Sequence, residues 1–274
     1  MMRGRRAERS GRGDRRGRTP AVLAAAGMTL GLGAVLLWPA SRSTPRESES
    51  DLPAPAESAL QVPTPVELER DPHASLWSTV RRNSTARSAP DDGAPPVARV
   101  ETRTPEGTSN ILLILDRRRD ANGRLWVRAR LPVLPNGTTG WLRRTAIAGY
   151  RLVRTRLVVD LRKLRATLLS NGREVFRAEV GVGLPQWPTP RGRFYIRNKL
   201  VRYSSPFYGP LAFGTSARSS VLTDWPDGGF VGIHGTNRPD LIPGRVSHGC
   251  IRMRNADIVR LGRLMPVGTP LEIS

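Results

Sequence analysis

The sequence is poor in the residues from which disulfides and metal centres are built. It has one cysteine, Cys250, and three histidines among 274 residues. A single cysteine excludes an intrachain disulfide. Its thiol is therefore either a buried group with a packing role or a chemically reactive group. No internal repeat is visible, and no zinc-ligand spacing supports a zinc-binding module.

Acidic residues are also scarce. The chain has 23 Asp and Glu against 44 Lys and Arg, and residues 151–274 alone hold 20 basic and 8 acidic side chains. This charge predicts an anionic partner such as nucleic acid, an acidic wall polymer or a carboxylate-bearing peptide. Because the basic residues are scattered singly and no nucleic-acid-binding module is recognisable, we expect no nucleic-acid partner.

The long stretch between Arg18 and Arg42 contains no charged residue. About 20 apolar residues cross a bilayer as a helix, so residues 21–40 are predicted to be a transmembrane signal-anchor. The arginine-rich leader, residues 1–20, is expected to stay cytoplasmic, with everything beyond residue 40 outside the cytoplasm. A cleaved secretion signal is the alternative, although the small-residue site at residues 39–41 is imperfect.

Two segments precede the main domain. Residues 41–96 are rich in Pro, Ser, Glu and Arg, which predicts a disordered linker in which His73 is solvated. Local docking of Leu76-Trp77 within this stretch is the alternative. Residues 97–150 contain short apolar and alternating runs separated by turn residues, which predict several strands. Their spacing and the Gly140-Trp141 pair resemble bacterial SH3-like modules, which implies a small barrel with a positioning or binding role. A structural lead-in to the next domain is the alternative.

Residues 152–274 form the predicted main domain. Short apolar strands dominate it, and Asn171-Gly172 predicts a hairpin turn that tolerates positive φ. Asn255 is placed to cap a short helix that continues to about Leu264. The chain is therefore expected to be mainly β, with one or two short helices in this domain.

Cys250 is the candidate nucleophile. It lies in the segment Ser247-His248-Gly249-Cys250-Ile251-Arg252-Met253. Gly249 permits close approach of another molecule to the backbone. The neighbouring cations His248 and Arg252 are expected to lower the pKa of the thiol and favour the nucleophilic thiolate.

His234 is the candidate general base. Gly232 and Gly235 flank it, so the backbone can bend to bring its ring against Cys250 and leave room for a substrate. His248 is expected to order the pocket or support the oxyanion. Two histidines and a cysteine could instead bind zinc, but a second close ligand pair is missing, and we expect no metal and no cofactor.

Backbone and polar groups near the thiol complete the candidate site. The N–H groups of Gly249 and Cys250 are the natural oxyanion donors. Arg252 is a candidate for binding a substrate carboxylate, with a surface ion pair as the alternative. Ser247 is a candidate for hydrogen bonding to substrate, with a purely structural role as the alternative.

These segments resemble a known family. Ile233-His234-Gly235-Thr236, followed by Ser247-His248-Gly249-Cys250-Ile251-Arg252-Met253, is similar to the signature of L,D-transpeptidases of the YkuD type. Thr189-Pro190-Arg191-Gly192-Arg193-Phe194-Tyr195-Ile196 resembles another segment of that domain. The resemblance covers residues 152–274 and implies a β-rich, sandwich-like catalytic domain with its cysteine in a groove.

The resemblance also implies a chemistry. Family members act on bacterial cell walls by ping-pong acyl transfer, in which a cysteine thioester on a tetrapeptide stem releases D-alanine and a second stem's amine makes a 3→3 cross-link. By this likeness Cys250 is the nucleophile, His234 the base, and the Gly235 carbonyl the group that orients the imidazole. Peptidoglycan stem peptides are the implied partners, anionic wall polymers are further candidates, and carbapenems are expected to acylate the cysteine.

Two alternatives stay open. Water as acceptor would make the same site an L,D-carboxypeptidase. A degenerate domain behind an SH3-like module would make a non-catalytic wall-binding protein. Acceptor choice is expected to depend on the loop at residues 237–246, which departs from the family pattern.

Overall fold

A computed structural model of the chain describes residues 71–201, 206–222 and 229–274. The predicted leader (1–20), the predicted membrane anchor (21–40) and the first part of the predicted linker (41–70) lie outside the described residues. Within the described ranges, no helix has both the length and the apolar character needed to cross a bilayer.

The first half of the described chain is a β module of residues 75–153. Its strands are β1 (Ser75–Thr79), β2 (Ser84–Arg87), β3 (Pro96–Val100), β4 (Ile111–Arg119), β5 (Leu125–Arg130), β6 (Thr139–Arg143) and β7 (Arg151–Val153). They form one sheet in the order β3-β2-β6-β5-β4-β1-β7. Leu112, Val127 and Leu142 are fully buried in its core, because the apolar positions of β4, β5 and β6 converge on one cluster.

The predicted linker is wrong where it overlaps this module. Strands β1 and β2 lie inside residues 41–96, and the module therefore begins well before residue 97. Trp77 and Val80 are buried, and Trp77 pairs with Leu113 in the antiparallel β1–β4 ladder. A few apolar side chains that dock on a distant strand are enough to order a segment whose average composition predicts disorder. The SH3-like identity of the module stays a prediction.

The second half is a β-rich domain of residues 155–273, which confirms the expectation of a mainly β chain. Its strands are β8 (Thr155–Asp160), β9 (Arg165–Ser170), β10 (Arg173–Glu179), β11 (Gly181–Gly183), β12 (Gly192–Val201), β13 (Leu211–Arg218), β14 (Phe230–His234), β15 (Gly244–Ser247), β16 (Ile251–Arg252) and β17 (Pro270–Ile273), with one helix, α1 (Asn255–Leu264). The strand order is β10-β9-β8-β17-β12-β13-β14-β16-β11-β15. The predicted hairpin turn is confirmed, since Asn171 and Gly172 have φ of 47° and 77°.

The register of two short parallel strands creates the site. Strand β14 pairs with β16, with His234 opposite Arg252 and Ile233 opposite Ile251. Side chains two residues apart on a strand point to the same face. Cys250, two residues before Arg252, is therefore carried to the side of the sheet on which His234 lies.

The β module is attached to this second domain through buried polar contacts. Glu106 accepts a hydrogen bond from the Arg197 guanidinium at 2.6 Å, and the Arg197 side chain is only 2% exposed. Asn136 makes a reciprocal pair with the backbone of Arg218, at 2.7 Å and 3.0 Å. These contacts join the module to β12 and to the end of β13.

Candidate active site

The candidate nucleophile and base share one cleft of about 330 Å³. The described residues that line it are Phe207, Tyr208, Ser219, Leu222, Gly229, Phe230, Val231, His234, Ser247, His248, Cys250 and Arg252. Gly232 lies between the two reactive groups: a Cβ at this position would be 3.8 Å from His234 Cδ2 and 3.9 Å from Cys250 Sγ. The glycine keeps the space between imidazole and sulfur free of a side chain.

His234 closes strand β14 and is buried, at 4% exposure. Its Nδ1 lies 2.6 Å from the Gly235 carbonyl oxygen. A carbonyl can only accept, so Nδ1 carries the proton and Nε2 is left as the proton acceptor. Burial lowers the pKa of His234 to about 4, against the opposing effect of the Gly235 carbonyl. The imidazole is therefore a neutral base at neutral pH.

Cys250 as a whole residue is partly exposed, and its sulfur accepts a hydrogen bond from the Gly232 N–H at 3.4 Å. Burial of the sulfur raises its pKa, and this outweighs the opposite effects of that N–H and of Arg252. The expectation of a thiol pKa lowered by cationic neighbours is wrong, because desolvation dominates. The resting pair is a protonated thiol beside a neutral imidazole.

The Ser247 hydroxyl and the Gly249 N–H are both engaged in hydrogen bonds within the segment. The Ser247 side chain is completely buried; its hydroxyl donates to the Cys250 carbonyl at 2.6 Å and accepts from the Gly249 N–H at 3.1 Å. These bonds favour the structural alternative for Ser247, and substrate binding by Ser247 stays a prediction. The Gly249 N–H is already bonded, so it is not a free oxyanion donor, whereas the Cys250 N–H keeps that role as a prediction.

Thr189 is a site residue that sequence reasoning missed. Its buried hydroxyl donates to the Gly249 carbonyl at 2.8 Å and accepts from the Gly183 N–H at 2.9 Å. Gly249 itself has φ of 112°, a conformation that side chains other than glycine rarely adopt. Thr189 therefore binds the Gly249 carbonyl, and Ser247 binds the Gly249 N–H. Together they fix the backbone conformation of the residue before the nucleophile.

Asn255 and Tyr208 also acquire roles that the sequence did not reveal. Helix α1 has Arg254 at its N-cap position, so the prediction of Asn255 as the cap is wrong. Its Oδ1 accepts instead from the Thr236 N–H at 2.9 Å, and a Cβ at Gly235 would clash with that oxygen. The Tyr208 ring packs on the imidazole of His234, with centroids 4.7 Å apart.

His248 and Arg252 lie at different depths in the cleft. His248 is exposed, and its ring packs against Trp187 with centroids 4.2 Å apart. Arg252 is half-buried, and its Nε is buried without a hydrogen-bond partner among the described residues. Support of the oxyanion by His248 and binding of substrate by Arg252 stay predictions.

The described residues do not support the zinc alternative. Among them, no three His, Cys, Asp or Glu side chains are grouped closely enough to hold a metal ion. The Nδ1 of His234 is directed to a carbonyl oxygen. The arrangement suits acyl transfer through a thiol and a base.

Comparison with known proteins identifies one family. Residues 154–273 match the model of the YkuD family, the L,D-transpeptidase catalytic domain. The chain is 34% identical over 118 residues to the L,D-transpeptidase YkuD of Bacillus subtilis (strain 168), and 34% identical over 119 residues to that of Bacillus licheniformis. Each match covers 43% of this chain and 65% of the relative's length.

A solved structure is also similar. The catalytic domain of the E. faecium L,D-transpeptidase, determined by NMR, is 25% identical, with 44% of this chain and 96% of that chain covered and a TM-score of 0.33. The family assignment rests on the sequence match of the domain. Residues 154–273 belong to the YkuD family of L,D-transpeptidase catalytic domains.

Proposed function

We propose that the protein is a cysteine acyltransferase that cross-links peptidoglycan stem peptides through a thioester on Cys250. The observation that carries the proposal is geometric: Cys250 and His234 line one cleft on either side of Gly232, and Nδ1 of the imidazole is directed to the Gly235 carbonyl oxygen. The family membership of residues 154–273 supports the substrate class.

Acylation uses His234 first as base and then as acid. Nε2 takes the thiol proton as Sγ attacks the carbonyl carbon at the L-centre of diaminopimelate in a tetrapeptide stem. The Cys250 N–H donates to the oxyanion that forms. As the tetrahedral intermediate collapses, the C–N bond to D-alanine breaks and the imidazolium gives its proton to the departing nitrogen.

Deacylation reverses these roles. The side-chain amine of a second stem attacks the thioester carbonyl and passes a proton to His234. The C–S bond then breaks, and the proton returns to the sulfur. The product is a 3→3 cross-link, whereas water in place of the amine gives a tripeptide stem and an L,D-carboxypeptidase.

Arg252 is proposed to hold a carboxylate of the stem. Its guanidinium lines the cleft beside Cys250, and its Nε is buried without a partner among the described residues. A charge-assisted bond to a stem carboxylate would satisfy that donor and fix the orientation of the donor peptide. The localisation proposed with this activity is the bacterial cell envelope, with residues 21–40 as membrane anchor and the catalytic domain outside.

Product analysis tests the proposal and separates its variants. The full-length protein is incubated with a tetrapeptide-stem muropeptide, and the products are identified by mass spectrometry. A dimer formed with loss of D-alanine supports transpeptidation, and a tripeptide alone supports hydrolysis. Cys250→Ala is expected to abolish both products, and Cys250→Ser controls for the volume of the side chain. Unchanged products with Cys250→Ala, or no reaction of the unaltered protein, would contradict an enzymatic function and favour a wall-binding role.

A further inference from the structure

A second cleft, of about 320 Å³, lies between the β module and the catalytic domain. The module contributes Leu113, Leu115 and Arg130 to its walls, and the catalytic domain contributes Arg156, Arg193 and Glu272 among others. None of the residues that line it lines the Cys250 cleft. The two clefts are therefore separate sites.

Positive charge dominates the walls of this interdomain cleft. Four arginines line it, Arg130, Arg154, Arg156 and Arg193, and Glu272 is the carboxylate among the lining residues. Arg154 is paired, since its Nε lies 3.3 Å from Asp71 Oδ2. The other three arginines have no ion-pair partner among the described residues.

Arg130 is the most informative of them. Its Nε is buried and has no hydrogen-bond partner in the described part of the chain. Burial lowers the pKa of its guanidinium, and the charge of Arg193 acts in the same direction. Glu272 lies opposite Arg193 in the β12–β17 ladder, so one carboxylate serves several cations in this cleft. A partly buried cation without an ion pair is unfavourable, and an anion bound beside Arg130 and Arg193 would relieve it.

We propose that the interdomain cleft binds an oxyanion, which is a phosphate or a carboxylate group of its ligand. Guanidinium groups bind both oxyanions through two parallel N–H bonds, which a lysine cannot do. The apolar wall formed by Leu113, Leu115 and Phe194 leaves room for the uncharged part of the ligand. Because both halves of the protein supply walls, a bound oxyanion would strengthen the attachment of the module to the catalytic domain. This inference does not depend on the activity at Cys250.

Calorimetric titration of the full-length protein in detergent tests the proposal with two probes. Inorganic phosphate represents phosphate-bearing ligands, and N-acetylmuramic acid represents carboxylate-bearing ones. The variant Arg156→Gln/Arg193→Gln removes two exposed cations from the cleft. The control Arg81→Gln/Arg99→Gln removes two exposed cations elsewhere and changes the net charge equally.

The site predicts saturable binding of at least one probe, weakened about tenfold or more in the cleft variant and little changed in the control. Glu272→Gln should tighten the same binding, because it removes the carboxylate that lines the cleft. Binding of phosphate alone or of N-acetylmuramic acid alone identifies the source of the oxyanion. Equal weakening in both double variants, or no saturable binding of either probe, would overturn the proposal.

Discussion

The Nδ1 atom of His234 and the carbonyl oxygen of Gly235 lie 2.6 Å apart. This contact fixes both the tautomer and the direction of the imidazole, with no carboxylate involved. A carboxylate would favour the imidazolium, whereas a backbone carbonyl in a buried site leaves the ring neutral at neutral pH. This contact determines how the acylation rate is expected to depend on pH. It also determines how substitution of the residues that hold it in place should change that rate.

The first prediction concerns pH. The rate at which a carbapenem acylates Cys250 should be nearly constant from pH 7 to pH 6 and should fall as pH drops through about 4, where His234 is protonated. The same shift makes the unfolded chain bind a proton more readily than the folded protein between pH 6.5 and about 4. The free energy of unfolding should therefore decrease as pH is lowered through that window. Circular dichroism at each pH separates loss of reactivity from loss of fold.

Removal of the base provides the control for this profile. His234→Ala should lower the acylation rate at pH 7 by about 10²- to 10⁴-fold. The residual rate should increase with pH into the alkaline range, because burial raises the pKa of the Cys250 thiol. If the acylation rate of the unaltered protein instead falls near pH 6.5, this acid limb would show that the imidazole is not held in the buried, neutral state.

The second prediction concerns the two hydroxyls that hold Gly249. Thr189→Val removes one of them with little change of volume and leaves the Gly183 N–H and the Gly249 carbonyl without their partner. The free energy of unfolding should fall by about 1–3 kcal/mol, as measured by urea denaturation. Acylation of Cys250 should slow as well, because the backbone before the nucleophile is released.

Thr189→Ser is the matched control, since serine restores the hydroxyl but not the methyl group. It should recover most of the acylation rate. If Thr189→Val reacts as fast as the unaltered protein, the two bonds stabilise the fold without positioning the nucleophile.

The third prediction concerns Asn255. Asn255→Ala removes the acceptor for the Thr236 N–H and should loosen the turn that presents the Gly235 carbonyl to His234. We expect kcat for acyl transfer to drop by about tenfold or more, because the imidazole is no longer held in one orientation. Asn255→Asp keeps an acceptor oxygen and should restore the rate near neutral pH. Its added negative charge should move the acid limb to higher pH, and an unmoved limb would argue against coupling between residues 255 and 234.

The fourth prediction concerns the attachment of the β module. Glu106→Ala would leave the buried Arg197 guanidinium without its carboxylate. Loss of one partner of a buried pair lowers the free energy of unfolding by about 3–5 kcal/mol. Urea denaturation measures the change, with the exposed Glu101→Ala as control. Equal stability of the two variants would show that the Glu106–Arg197 contact does not contribute to the interface.

The sequence was sufficient where function is encoded in adjacent residues. Cys250 and His234 each lie in a short glycine-containing segment, and the domain they belong to could be assigned from those segments. The sequence did not predict the role of a residue that acts through a partner distant in the chain. Thr189 contacts Gly249 across sixty positions of the chain, and neither residue carries a local signal of that contact.

Two of the wrong expectations have the same physical origin. Residues 75–87 were predicted to be disordered because their composition is polar, yet β1 is ordered by pairing with β4, more than thirty residues later. The thiol was expected to be acidic because cations are near it in sequence. Its burial, which raises the pKa, is a property of the tertiary structure alone.

The covalent intermediate tests the central claim most directly. The full-length protein is mixed with a tetrapeptide-stem muropeptide in the absence of an acceptor, quenched in acid within one turnover, and analysed by intact-mass and peptide-mapping mass spectrometry. The account predicts an adduct equal to the donor minus D-alanine on the peptide that contains Cys250, strongly reduced in His234→Ala. An adduct that persists in Cys250→Ala, or D-alanine released with no adduct at any quench time, would contradict it.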